Sequence, residues 1–153
     1  MIPRQLPVNA LQGALAAEHA AIWAYGVVAA FVSGALEAQL DEAVSAHQAR
    51  RDATERVLID AGAPPMPPEP GYLTPEPVTD AASALRLAIT AETDAAAAWR
   101  SVVEHSPIQH SPADPGLRGA ALDALTEAAV RATRWRATAS IRPLTVPFPG
   151  APS

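Results

Sequence analysis

The chain has 153 residues, 16 of them proline, no cysteine and a formal charge of −5. This length is typical of one domain with its own core, 1–153. The lack of cysteine excludes disulfides, thiolate catalysis and Cys-ligated metal centres. The acidic balance argues against a nucleic-acid partner, which would need a basic face. Abundant alanine, the best helix former, favours closely packed helices.

Proline divides the chain into segments, because it is poorly tolerated inside a helix. The prolines cluster near the N-terminus and in three further stretches, 64–77, 107–115 and 143–152. The segments between them, with a turn at Ser33-Gly34, predict four helices at about 9–33, 35–61, 79–105 and 115–140.

The first two predicted helices carry stripes of apolar residues at helical spacing. The first begins at Asn9, a good N-cap. Its stripe contains Leu11, Leu15, Glu18, Ile22, Tyr25 and Ala29. The stripe of the second helix contains Leu40, Val44, His47, Arg51, Thr54 and Leu58. Ala61-Gly62 supplies the C-terminal stop of the second helix.

The other two predicted helices have similar stripes and clear start signals. Thr79 or Asp80 caps the third helix, whose stripe contains Leu85, Ala88, Ile89, Glu92, Ala96, Trp99 and Val103. Asp114-Pro115 precedes the fourth, whose stripe contains Leu122, Leu125, Ala128, Ala129, Ala132 and Trp135. The irregular tail 143–153 is expected to pack on the surface through Phe148. Four amphipathic helices predict an all-α bundle.

The Pro-rich segment 62–78 indicates how the helices connect. Its seventeen residues could span roughly 50 Å, whereas a helix of 26 residues is roughly 39 Å long. The segment can therefore return along the bundle, although it could also fold back locally. Two antiparallel hairpins joined by such a long crossover form the ferritin-like topology. The N-terminus lacks a signal-peptide core, and Glu18 and His19 interrupt the most apolar stretch, so we expect a cytoplasmic protein with no membrane partner.

Charged and polar residues interrupt the apolar stripes at five positions: Glu18, His47, Arg51, Glu92 and Arg131. A bundle interior tolerates charge only when it is paired or bound to metal. These residues predict a buried polar cluster or ligand-binding site. The simplest interpretation is a salt-bridge network with Arg51 or Arg131, while a partial metal site and a small-ligand site are alternatives. His19 is expected to be exposed or at an interface.

Several segments resemble the actinobacterial ferritin-like domain of unassigned function. They include EHAAIWAYG (18–26), HQARRDA (47–53), PPEPGYLTPEPVTD (67–80), AETDAAAAWR (91–100), ALTEAAVRATRWR (124–136) and the closing FPG. The resemblance covers nearly the whole chain. It implies a ferritin-like fold, a homodimer and no established activity.

The di-iron members of the wider superfamily use a carboxylate on each helix and a histidine on the second and fourth. Glu18, Glu92 and His47 fit three of these ligand positions, and Glu127 fits a fourth. The position three residues before His47 and the one three residues after Glu127 both hold valine. The ligand set is thus incomplete, and we expect no cofactor, with Fe or Mn bound at Glu18, His47, Glu92 and Glu127 as the alternative.

Three functions are compatible with this pattern. The first is a non-enzymatic, dimeric binding or structural module with a degenerate di-iron site. The second is an iron- or manganese-binding ferritin-like oxidoreductase with an atypical ligand set. The third is a partner-binding helical protein, with the Pro-rich stretch 64–77 and the tail as the docking surface.

Overall fold

The computed structural model describes residues 6–106 and 116–152, which form four α-helices with no β-strand in these ranges. The helices are α1 (Val8–Ala29), α2 (Glu37–Asp60), α3 (Ala81–His105) and α4 (Gly116–Thr138). None of these helices combines the length and apolar composition needed to cross a membrane. The all-helical prediction is confirmed.

The observed helix ends differ from the predicted ones where local backbone bonding decides them. Helix α1 begins at Val8 after Pro7, so the prediction of Asn9 as N-cap is wrong. It ends at Ala29 because the following amides bond three residues back, which tightens the last turn. Helix α3 begins as predicted after Asp80, which forms a capping box with Ser83. The predicted start signal Asp114-Pro115 lies outside the described residues.

Two large apolar clusters lie in the bundle, one toward each end, and a small third cluster consists of alanines of α3 and α4. One contains Tyr25 and Val28 of α1 with Leu40 of α2, Leu85 of α3 and Trp135 of α4. The other contains residues from the opposite half of each helix: Leu11, Leu15, Leu58, Trp99, Val102, Ala121 and Ala124. A belt of buried polar residues therefore lies between two apolar layers.

Contacts between side chains show how the helices run. Helices α1 and α3 are antiparallel, because Glu18 contacts Trp99 while Tyr25, further along α1, contacts the earlier Glu92. Helices α2 and α4 are antiparallel by the same criterion, because Glu42 pairs with Arg134 while Arg50, further along α2, pairs with the earlier Glu127. Each helix thus places residues of its middle turns at one level of the bundle.

The segment between α2 and α3 lies along α1. Gln12 bonds the backbone of Pro64 and Met66, and the ring of Tyr72 lies 5.6 Å from that of Trp23. Contacts with α1 therefore move from its first turns toward its C-terminal half as the segment proceeds.

The C-terminal tail packs against α3 through a glycine. Phe148 is 77% exposed, so the prediction that it anchors the tail is wrong. Gly150 has φ +76°, and a Cβ there would lie 2.6 Å from the carbonyl oxygen of Ala96. The absence of a side chain at Gly150 is what allows this close backbone approach.

Candidate functional site: a closed network of buried charges

Seven side chains, at least one from each helix, form a hydrogen-bonded cluster in the centre of the bundle. We call it the central network, and its members are Glu18, Tyr25, His47, Glu92, Trp99, Arg131 and Trp135. All seven are buried. They meet because each lies on the inward stripe of its helix, near the middle of the bundle.

His47 is the centre of the network. Its Nδ1 lies 2.6 Å from Oε2 of Glu18 and its Nε2 lies 3.1 Å from Oε1 of Glu92. Carboxylate oxygens only accept hydrogen bonds, so both contacts are satisfied when both ring nitrogens carry protons. Burial favours the neutral ring, but the hydrogen bonds and charges of the two carboxylates raise the pKa of His47 from 6.5 to about 9. The ring is an imidazolium at neutral pH.

Glu92 collects three donors on one carboxylate oxygen. Its Oε1 accepts from the Tyr25 hydroxyl at 2.6 Å, from Arg131 Nε at 2.9 Å and from His47. Burial alone would raise the pKa of Glu92, but the His47 hydrogen bond and the charges of His47 and Arg131 lower it. Its second oxygen, Oε2, is buried and has no hydrogen-bond partner.

Two indole groups and a phenol complete the network. Trp99 Nε1 donates to Oε1 of Glu18 at 2.6 Å, and Trp135 Nε1 donates to the Tyr25 hydroxyl at 2.7 Å. Burial and the adjacent Glu92 raise the pKa of Tyr25, so its hydroxyl keeps its proton and donates. The donors therefore form a continuous chain from Trp135 through Tyr25 to Glu92.

Most polar groups of the network are already engaged in hydrogen bonds and ion pairs, which limits the chemistry open to it. Two carboxylates, Glu18 and Glu92, balance two cations, His47 and Arg131. Three of the four carboxylate oxygens accept hydrogen bonds from protein donors. Within 6–106 and 116–152 no group of three or more His, Asp or Glu is arranged to hold a metal ion. The contacts assign a donor and an acceptor to each hydrogen bond of the network.

Comparison with known proteins places the chain in a family. A family model described as Domain of unknown function (DUF4439) matches residues 10–153. The chain belongs to the DUF4439 family. A crystal structure of a conserved hypothetical protein, rv2844, from Mycobacterium tuberculosis is 40% identical, with a TM-score of 0.77. The match covers 85% of this DUF4439 chain and 94% of the mycobacterial one. Among curated proteins no match was found.

The structure brings four of the predicted site residues together and leaves two outside. Glu18, His47, Glu92 and Arg131 meet in the central network. Arg51 is half-buried and pairs at 2.8 Å with its neighbour Asp52. Glu127, half exposed, pairs at 2.8 Å with Arg50 on the outside of α2 and α4.

Helix geometry explains the two residues that lie outside. Arg51 is one turn beyond His47, and its long side chain carries the guanidinium away from the core to the half-exposed side of α2. Glu127 precedes the buried Ala128 by one residue, which rotates it about 100° around α4. Of the two arginines considered from sequence, Arg131 therefore partners the carboxylates.

Sequence reasoning missed the three aromatic members of the network. Tyr25 and Trp99 each lie seven residues after a buried glutamate of the same helix, Glu18 and Glu92, and Trp135 lies four after Arg131. Residues at these spacings share a helix face, and a buried indole N–H or phenol O–H needs a partner. That combination was the available signal.

His19 was also misjudged. It is 7% exposed, and its Nε2 lies 3.3 Å from the carbonyl oxygen of Met66 in the segment that runs along α1. Of the two alternatives predicted for His19, exposed or at an interface, exposure is wrong because that segment covers the ring.

Proposed function

We propose that this protein is a ferritin-like bundle that acts as a non-enzymatic binding or structural module, with an ionic network in place of a metal centre. The observation that carries the proposal is the position of His47 between Glu18 and Glu92, at 2.6 and 3.1 Å. An imidazolium there supplies the positive charge that a metal cation would supply to two carboxylates.

The helix directions support the ferritin-like topology. Helices α1 and α3 are antiparallel, as are α2 and α4, and the Pro-rich segment proceeds along α1 between α2 and α3. Two hairpins joined by one long crossover give this arrangement. The carboxylates of the first and third helices then lie where a ferritin-like protein holds its metals.

The residues present do not fit a di-iron centre. A divalent metal site needs deprotonated ligands with free lone pairs. Here donors occupy both oxygens of Glu18 and one of Glu92, both nitrogens of His47 face carboxylates, and Arg131 adds a positive charge. Glu127, the fourth predicted ligand, pairs with Arg50 at the surface.

Elemental analysis tests this proposal. Protein purified from cells supplemented with iron, manganese and zinc is expected to contain far less than one metal ion per chain. Near-stoichiometric metal that is lost in Glu18→Ala or Glu92→Ala would overturn it. Glu127→Ala is the matched control, because this carboxylate lies outside the network and its removal should not change the metal content.

A metal-binding oxidoreductase with an atypical ligand set is the second candidate, and one observation favours it. Glu92 Oε2 is buried without a hydrogen-bond partner and so retains lone pairs for a cation. If Fe(II) or Mn(II) binds there, addition of either ion should raise the melting temperature of the wild type and leave that of Glu92→Gln unchanged. If the melting temperature of neither protein changes, the result supports the metal-free module.

The homodimer that the family resemblance implies stays a prediction of this proposal. Light scattering over a range of protein concentrations checks it, and a mass of one chain at every concentration would contradict it.

A further inference from the structure

Helix α4 turns its smallest residues inward and several larger aliphatic residues outward. Besides Arg131 and Trp135, the buried residues of α4 are all alanines: Ala121, Ala124, Ala128 and Ala132. Leu122 was expected on the inward face but is 52% exposed, and Val130 is 46% exposed. The small side chains allow α4 to approach α3 closely, and the register that achieves this leaves the aliphatic residues outside.

These outward residues form one side of an elongated groove between α3, α4 and the tail. The groove, which we call the α4 groove, has a volume of about 530 Å³. Its aliphatic lining includes Ala96, Leu122, Leu125, Ala129, Val130 and Val146. Along α4 it extends from Leu122 to Arg136, which is about 21 Å at 1.5 Å per residue. Its volume is in the range of small-molecule sites.

The tail makes the far wall of the groove and lies close to α3. Pro149 and Gly150 line the groove, and Gly150 is in backbone contact with Ala96. A side chain at Gly150 would clash with α3, so the close approach of this wall to α3 depends on glycine at this position. The shape of the groove is therefore determined by how the tail packs beside α3 and α4.

One end of the groove carries a cation without a partner. Among the arginines of the described ranges, the guanidinium groups of Arg56, Arg136 and Arg142 form no ion pair or hydrogen bond, and only Arg136 of these three is not exposed. Arg136 lines the α4 groove. Its place in the last turn of α4 favours a cation through the helix dipole but supplies no carboxylate.

The other charges of the lining are already matched. Arg134 bonds Glu42 at 3.2 Å. Glu92 is balanced by His47 and Arg131 within the central network. Arg136 is thus the charge in the lining for which a ligand could provide the partner.

We infer that the α4 groove binds an elongated amphipathic monoanion, of the chemical class of a medium- or long-chain carboxylic acid. The alkyl chain lies along Leu122, Leu125 and Val130, where it covers the outward aliphatic residues. The carboxylate bonds the guanidinium of Arg136, whose planar fork suits that group. This inference goes beyond the proposed function and concerns another site, so it can fail while the metal-free network stands.

Calorimetric titration with decanoate and with decan-1-ol at neutral pH tests the inference. Wild-type protein is expected to bind decanoate in a one-to-one ratio and to bind the alcohol on the order of tenfold more weakly, because a charge-assisted hydrogen bond is lost. Arg136→Gln should weaken decanoate binding by a similar factor and leave the alcohol unchanged. Arg142→Gln, which removes an unpaired and exposed arginine outside the groove, is the matched control.

A second variant separates the apolar wall from the head group. Val130→Asp changes a residue that is 46% exposed, so the fold should tolerate it. It should abolish binding of both ligands. The inference is overturned if decanoate does not bind, if Arg136→Gln binds it as the wild type does, or if a second copy of the chain covers the groove and Val130→Asp converts a dimer into monomers.

Discussion

The central network and the α4 groove adjoin on the α3–α4 pair, with Glu92 common to both, and they differ in how their charges are paired. In the network, Arg131 faces inward among alanines and finds Glu92 at 2.9 Å. In the groove, Arg136 lies five residues further along α4 beside aliphatic residues and has no partner. The contrast teaches that a charge buried with its counter-charge closes a site, whereas a charge left unpaired beside apolar surface can select a ligand.

The largest expected effect comes from removing the cation of the network. His47→Leu leaves the two carboxylates of Glu18 and Glu92 facing an apolar side chain, and breaking a buried ion pair costs about 3–5 kcal/mol. Urea denaturation should show this loss in the free energy of unfolding. Arg51→Leu, one turn away on α2 and half-exposed, is the control and should change it by about 0.5 kcal/mol or less. Equal losses of unfolding free energy in the two variants would contradict the central role of His47 in the network.

The second-largest expected effect is a pH dependence of stability that arises in the central network and not in the α4 groove. The folded-state pKa of His47, about 9, lies above its ordinary value of 6.5. Protonation therefore stabilises the fold fully below about pH 6.5, and this contribution, on the order of 3 kcal/mol, is lost as pH rises through 9. The lowered pKa of Glu92 acts in the other direction, because its contribution is lost as the medium becomes acid.

We therefore expect the free energy of unfolding to be greatest between about pH 4.5 and 6.5 and to fall toward pH 9. Urea denaturation at a series of pH values measures this profile. The decline above pH 6.5 should disappear in His47→Leu and persist in Arg136→Gln, which changes only the groove. Stability that is constant or rises from pH 6.5 to 9 in the wild type would contradict the assigned protonation.

A smaller effect is expected at the wall of the groove. Gly150→Ala places a Cβ 2.6 Å from the Ala96 carbonyl oxygen at a positive φ, so the tail should detach from α3. Gly62→Ala is the matched control, because Gly62 has a similar φ of +72° but open space around it. We expect Gly62→Ala to cost about 1 kcal/mol through backbone strain. Gly150→Ala should additionally make the tail sensitive to carboxypeptidase, and equal digestion of the two variants would show that the wall is not held as described.

The sequence was most informative where the helical spacing of apolar residues agreed with the helix boundaries set by proline. The four helices could be predicted because apolar residues recur at helical spacing. The inward positions of Glu18, His47 and Glu92 could be predicted because each of these residues lies on such an apolar stripe. The roles of Tyr25 and Trp99 could not be assigned from those stripes, since an aromatic residue that packs and one that also donates a hydrogen bond occupy the same positions.

Register and side-chain length explain the remaining errors. On α4, alanines outnumber large apolar residues, so the stripe did not determine which side faces inward, and Leu122 and Glu127 were placed there. Arg51 has the right spacing, but its flexible side chain reaches a surface carboxylate. The α4 groove depends on the tail, whose contact through Gly150 requires the three-dimensional approach to Ala96.

The protonation state of His47 tests the central claim most directly. Nitrogen-15 NMR of the imidazole ring, followed from mildly acid to alkaline pH, reports both ring nitrogens. We predict that both remain protonated at neutral pH and that the ring titrates near pH 9, as expected for an imidazolium held between Glu18 and Glu92. A ring that carries a single proton at neutral pH and titrates at or below 6.5 would contradict the account.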